Sequence, residues 1–153
     1  EDKARTLFAQ LDQAKIRQDF IAAAGVLKAR AESNGKLGVV GFCYGGGMAH
    51  FLSTQLPDLA AAVPFYGNHP AVEEAAKVKA PLLIHFAAVD ERINAAWPAY
   101  EAALKAAGAR YTAHQYPGTQ HGFNNDTTPR FDAAAAKLAW DRTLAFFGQH
   151  LKA

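Results

Sequence analysis

From position 14 to 31, apolar residues recur at spacings of three and four: Ile16, Phe20, Ala24, Leu27 and Ala31. That period puts them on one face of a helix, and Asn34-Gly35 supplies the turn chemistry that ends it. The pattern then changes. Residues 37–42 are a short, Val-rich apolar run bounded by glycine, which predicts a strand buried on both faces. Runs at 61–66 and 81–87 predict two more strands, the second carrying Leu82, Leu83, Ile84 and Phe86. A fourth is predicted over 111–116, where Tyr111, Ala113 and Gln115 alternate with Thr112, His114 and Tyr116. Helical patterns fill the intervals: 46–56, a short 70–77 helix starting from Asn68 with Pro70 in its first turn, 98–107 ending at Gly108, and 131–151. In the last of these Trp140, Leu144, Phe147 and Leu151 form a stripe at helical spacing, the pattern of a core-facing side.

The order is helix, then strand and helix four times over. Alternation of this kind with buried strands predicts an α/β fold, a parallel sheet with helices on both faces. Ligands of such sheets bind outside the carboxyl ends of the strands. The loops that begin near Cys43, Gly67, Val89 and Gly118 are therefore where chemistry is expected.

Composition changes this picture little. The chain has 153 residues, 50% of them hydrophobic and 20% charged, enough for one domain with a core. Its formal net charge of +2 forms no basic tract, so neither nucleic acid nor an anionic membrane is indicated as partner. No apolar stretch approaches the roughly 20 residues of a membrane span. The single cysteine rules out an internal disulfide and fits a reducing, cytoplasmic compartment. The first residues carry neither a starting Met nor a signal-peptide pattern, which predicts a chain beginning inside a longer domain.

That one cysteine stands in Gly41-Phe42-Cys43-Tyr44-Gly45, directly after a predicted strand and before a predicted helix. This is G-x-nucleophile-x-G in the context a nucleophile elbow requires. In so tight a turn, side chains two before and two after the nucleophile crowd it, and glycine at both places relieves the clash. The helix N-terminus favours negative charge, a thiolate or a developing oxyanion alike. A nucleotide-binding turn is the rival, but the third-glycine spacing of a dinucleotide fingerprint and the Walker lysine are both missing.

A nucleophile needs a base, and the base an orienting acid. Asp90 follows the third strand in "AAVDERIN", and His121 follows the fourth in "YPGTQHGFNND". Both are expected at the same sheet edge as Cys43, in the chain order nucleophile, acid, histidine. Asp90 has a rival role as a cap of the turn before Arg92, and Glu91 is expected to point away. His69 lies in a loop at that edge and is the competitor of His121; His50, His85, His114 and His150 are expected to be packing or surface residues. No histidines and carboxylates share metal-ligand spacing, so a metal site is not expected.

The segments "GVVGFCYGGGMA", "VDERIN…YEAALKAAG" and "YPGTQHGFNNDTTPRFD…LAWDRTLAFF" together resemble the dienelactone hydrolase (carboxymethylenebutenolidase) family, from about Arg5 to Leu151. The resemblance implies an α/β-hydrolase fold and a Cys-His-Asp triad of Cys43, His121 and Asp90. It also implies opening of an enol-lactone or related ester through a thioester, without cofactor, with the backbone N–H of Tyr44 as one oxyanion donor. Phe42, Tyr44, Asn68, Arg92 and Phe123 are the expected pocket-lining residues. Family arginines that hold a substrate carboxylate include one a few residues past the histidine; here Gly122-Phe123-Asn124-Asn125 follows, with no arginine before Arg130.

The resemblance further implies that residues 1–153 are the C-terminal part of a single α/β-hydrolase domain. The N-terminal part of that domain would be its partner, bringing the first strands, a second oxyanion donor and a glutamate that activates the thiol. The 37–42 strand, apolar on both faces and without edge-protecting lysine or proline, is accordingly expected to be central, with a neighbour on each side. Thioesterase or peptidase-like acyl transfer on the same elbow, and a non-catalytic relic serving as a binding module, are the alternative functions.

Overall fold

The computed structural model describes residues 2–152; Glu1, Ala153 and the side chain of Arg5 lie outside the description. Its centre is a four-stranded sheet of β1 (Gly38–Phe42), β2 (Ala61–Phe65), β3 (Leu82–Val89) and β4 (Tyr111–Gln120), in the order β1-β2-β3-β4 with every pairing parallel. The helices are α1 (Asp2–Phe8), α2 (Gln13–Lys28), α3 (Tyr44–Gln55), α4 (Glu91–Asn94), α5 (Trp97–Ala106) and α6 (Ala133–His150).

Two cores follow from the period-two alternation of the strands. Ala62, Leu82, Ile84 and Phe86 point to one face and pack with Ile93, Tyr100 and Leu104. Val63, Phe65, Leu83 and Ala87 point to the other and pack with Tyr116, Phe123 and Ala139 of α6. Because β2 and β3 are covered on both sides, neither needs polar residues within it. All of β2 and the first six residues of β3 are buried.

Four expectations are corrected by the packing. The 37–42 strand, expected to be buried on both faces, is only partly buried as β1; among the described strands β2 is its one neighbour, and the second neighbour expected of it lies outside residues 2–152. The helix predicted over 14–31 ends at Lys28, and of its apolar face only Ala24 is buried; Phe20 and Leu27 are exposed. On α6 the buried side is Ala136, Ala139 and Thr143, small residues that let the helix approach the sheet. The predicted stripe runs beside it: Phe147 and Leu151 press on Gly38 of β1, while Trp140 and Leu144 are exposed. The short 70–77 helix is a 3-10 segment over Val72–Lys77, and Ala71 rather than Asn68 stands at its start.

The second core contains one polar network. His85 is fully buried, with Nε2 at 3.1 Å from Thr143 Oγ1 and Nδ1 at 2.9 Å from the Tyr116 hydroxyl. Thr143 donates its own proton to the Ala139 carbonyl, so it must accept from His85 Nε2–H, and Nδ1 accepts from Tyr116. Burial above all, then His114 and Arg142, push His85 down to about 3. Burial likewise lowers His69 to about 4 and lowers His50 well below its usual value. Unfolding therefore takes up protons that the folded chain refuses, so stability is full above about pH 6.5 and falls as pH drops toward the folded values. For His85 alone the folding constant should fall about tenfold per pH unit between roughly pH 6 and 3.5. Urea midpoints measured from pH 7 to 4 check this, and a flat profile would refute it.

Candidate active site

The sharpest bend in the molecule is at the end of β1. Cys43 adopts φ 55°, ψ −114°, a left-handed conformation that a side chain resists, and it stands exposed at the N-cap of α3. Its backbone is held from both sides: the Cys43 N–H donates to the Phe65 carbonyl at 3.1 Å, and the Gly47 N–H donates to the Cys43 carbonyl at 3.1 Å. The glycines that permit this are not quite the expected pair. A Cβ on Gly41 would lie 1.9 Å from the Gly45 carbonyl oxygen, so Gly41 is required. A Cβ on Gly45 would meet nothing within 4 Å. The second obligatory glycine is Gly46, where a Cβ would lie 2.4 Å from the Phe65 carbonyl oxygen, against Gly67. Gly45→Ala should accordingly keep or raise the melting temperature, alanine being favoured over glycine inside a helix by about 1 kcal/mol. Gly46→Ala should lower it by several degrees or abolish folding; equal effects in the two variants would contradict this packing.

Asp90 and His121 reach the same place from the next two strand ends. Asp90 stands at the N-cap position of α4 but caps nothing with its side chain, which excludes the turn-capping role. Its Oδ2 instead lies 2.6 Å from His121 Nδ1, and the carboxylate is buried. His121 Nε2 lies 3.0 Å from Cys43 Sγ. Asp90, His121 and Cys43 are thus joined in one continuous chain of polar contacts. Glu91 is exposed and takes no part. His69, the competitor, turns both ring nitrogens inward, stacking on Tyr100 with ring centroids 5.2 Å apart.

The loop that carries His121 is anchored from below. Gly122 takes φ 86°, Phe123 plunges into the core, and the Phe123 carbonyl accepts from the Asp132 N–H at 3.0 Å. Phe123 is fully buried and lines no cavity, so it corrects the expectation of a pocket residue; it holds the histidine loop in place. Turns at Asn125 and Thr128 then bring the chain back. The Arg130 guanidinium ends beside Gly122, about where a Cβ there would contact it at 3.7 Å.

Two cavities meet at Cys43. One, of about 420 Å³, is bordered by Tyr44, Asn68, His69, Arg17 and Glu74. The other, of about 300 Å³, is bordered by Phe42, Tyr66, His121, Asn124 and Arg130. Phe42, Tyr44 and Asn68, expected to line a pocket, border these cavities. Arg92 reaches the site only through Asn68, whose Oδ1 accepts from its guanidinium at 3.2 Å. The Tyr44 side chain leans away, its hydroxyl donating to Gln13 at 2.9 Å. Its backbone N–H, the first of α3, has no acceptor inside the helix.

Arg17, Tyr66 and Arg130 were missed. No local pattern marks the left-handed Tyr66, and Arg130 is brought in by turns rather than by spacing. Among the described residues no three His, Cys, Asp or Glu side chains come together as a metal-binding group, and no helix is long and apolar enough to cross a membrane.

Comparison with known proteins places this arrangement in a lineage. Residues 1–151 match the model of the dienelactone hydrolase family. A candidate carboxymethylenebutenolidase of Saccharolobus solfataricus is 37% identical over 112 residues, covering 72% of this chain and 43% of that protein. One of Salmonella typhi is 30% identical over 156 residues, covering 94% and 57%. The crystal structure of a candidate dienelactone hydrolase of Klebsiella pneumoniae superposes with a TM-score of 0.84 at 29% identity, over 94% of this chain and 64% of the other. The chain spans about half the length of these curated relatives.

Proposed function

The chain belongs to the dienelactone hydrolase family, and from that premise we propose that it opens ester or lactone bonds with Cys43 as nucleophile, His121 as base and then acid, and Asp90 as the group that orients His121. The α/β-hydrolase fold puts all three at the carboxyl ends of the strands. The observation that carries the reading is the unbroken line from Asp90 Oδ2 to His121 at 2.6 Å and from His121 to Cys43 Sγ at 3.0 Å.

The steps follow from that line. With Nδ1–H donated to Asp90, His121 has a free lone pair on Nε2 and takes the Cys43 proton as the sulfur attacks the carbonyl carbon. The carbonyl oxygen gains charge opposite the Tyr44 N–H at the start of α3, where the helix dipole favours it. Collapse breaks the carbon–oxygen bond, and Nε2–H passes its proton to the leaving oxygen, leaving a thioester on Cys43. Water attacks that thioester, giving a proton to Nε2, and the released Cys43 thiolate takes that proton to restore the thiol. Small esters or lactones are the substrates this cleft suits, and Arg130 offers a cation to those carrying negative charge.

We further propose that residues 1–153 are part of one α/β-hydrolase domain whose sheet continues past β1.

Incubation with an activated ester followed by mass spectrometry tests the chemistry. One acyl group should appear on Cys43, and Cys43→Ala should remove it. Cys43→Ser should retain only weak acylation, a hydroxyl at its free pKa being the poorer nucleophile. Protein that carries the rest of the domain and stays unlabelled while iodoacetamide still alkylates Cys43 would favour a binding module on an α/β-hydrolase frame.

A further inference from the structure

The two cavities at Cys43 are not equivalent, because only one of them contains His121. In acyl transfer the proton that departs with the leaving group comes from the base that first took it from the nucleophile. The leaving oxygen must therefore sit within reach of His121 Nε2, and the group attached to it must extend into space that His121 borders. Resting on the acyl-transfer reading above, we propose that the 300 Å³ cavity is the leaving-group site and that Tyr66 donates a hydrogen bond there to the departing oxygen.

Tyr66 is the second non-glycine residue with positive φ, at 37°, the first being the nucleophile itself. A bulky aromatic residue is rarely found there, and such strain persists only where the surroundings over-determine it. Here they do. The Tyr66 N–H donates to the His85 carbonyl at 2.8 Å. One residue on, a Cβ on Gly67 would fall 2.2 Å from the Gly46 backbone, so the chain is clamped over the start of α3. The strain turns the Tyr66 ring under the histidine: its centroid is 5.0 Å from that of His121 and 5.4 Å from that of Phe123. The ring is almost wholly buried, so its position is set by packing rather than by solvent.

Its hydroxyl has work to spare. The polar neighbours are the main-chain amide of Asn124 and the side chains of Cys43 and Arg130. An amide N–H can only donate to the phenol oxygen, which leaves the phenol's own proton available. Burial first, and Cys43 to a lesser degree, raise the phenol to about 12, so it remains a donor throughout the neutral range. Tyr66 lines the same cavity as His121 and Arg130, where a neutral O–H and a cation match an oxygen acquiring negative charge. The ligand class is thus an alkoxide or enolate leaving group. The acyl portion is left to the larger cavity beside Tyr44 and Asn68. A lactone, whose leaving oxygen stays tethered to its acyl carbon, would bridge the two.

The inference is tested by the rate of Cys43 acylation with two acetate esters, one releasing p-nitrophenolate and one releasing an unactivated alkoxide. Tyr66→Phe keeps the ring and removes only the donor. It should slow acylation by the alkyl ester about 10²-fold and by the nitrophenyl ester less than about tenfold, since nitrophenolate needs little help to depart. Arg130→Gln, at an exposed position, should shift the two rates in the same unequal sense and serves if Tyr66→Phe folds poorly. The pH profile of Cys43 alkylation by iodoacetamide should match the parent in Tyr66→Phe. Equal losses on the two esters would overturn the assignment, as would an altered alkylation profile, which would mean that Tyr66 acts on the thiol. Failure of the parent to form any acyl-enzyme would instead overturn the reading on which this one rests.

Discussion

Asp90→Asn should fold normally and lose about 10³–10⁴ in the rate of Cys43 acylation. The size of the loss comes from a tautomer. In the parent, Asp90 can only accept, so it requires the proton of His121 on Nδ1 and frees Nε2, 3.0 Å from Cys43 Sγ, to accept. An asparagine turned with its amide toward Nδ1 donates instead. The imidazole proton then moves to Nε2, where it faces the sulfur and cannot take a proton from it. Packing is scarcely altered, because the two side chains have nearly the same shape, and circular dichroism with an unchanged melting curve would establish that. Iodoacetamide should still find the exposed sulfur in this variant, separating loss of the base from loss of the nucleophile. Full acylation by Asp90→Asn would mean that another group holds His121, and would remove Asp90 from the mechanism.

The residues of the proposed mechanism were legible because each is announced locally. Cys43 is framed by Gly41 and a helix start, and Asp90 and His121 directly follow strands whose apolar runs are unmistakable. Chain order then supplied the pairing. What was not legible depended on contacts far apart in sequence. The role of Gly46 comes from its approach to Gly67 and Phe65, and nothing in "CYGGG" ranks one glycine above another. Phe123 reads as a pocket residue because it adjoins His121, yet Gly122 at φ 86° turns it inward. The α6 stripe reads as core-facing for a related reason. Its residues are large and evenly spaced, while the helix lies on the sheet through Ala136, Ala139 and Thr143, where small side chains permit close approach. Trp140 and Leu144 keep the character of buried residues without a surface to cover among the described residues.

The second large effect concerns that uncovered flank. Leu37 and Cys43 turn their main-chain groups toward β2, Leu37 accepting from Ala60 and Cys43 donating to Phe65. Alternation along a parallel strand then directs the N–H and C=O of Gly38, Val40 and Phe42 outward, along the free edge of β1. No charge or proline guards this edge, and exposed apolar residues lie on α2 and α6: Phe20 and Leu27 on one, Trp140 and Leu144 on the other. An edge of that kind recruits another strand. If the domain's sheet continues past β1, residues 1–153 alone should self-associate, and the Val40 amide should exchange with solvent within seconds in the monomer. Val40→Pro, which removes only an outward N–H, should reduce self-association while leaving the β1–β2 pairing in place. Adding the part of a dienelactone hydrolase relative that this chain does not match should protect Val40 and raise ester turnover. If that part brings a second oxyanion donor opposite Tyr44, the gain should be at least about 10²–10³-fold. Sedimentation velocity, hydrogen exchange and an ester assay read the three outcomes. Residues 1–153 that remain monomeric at high concentration, with Val40 protected and turnover unchanged by the added part, would mean that the sheet ends at β1.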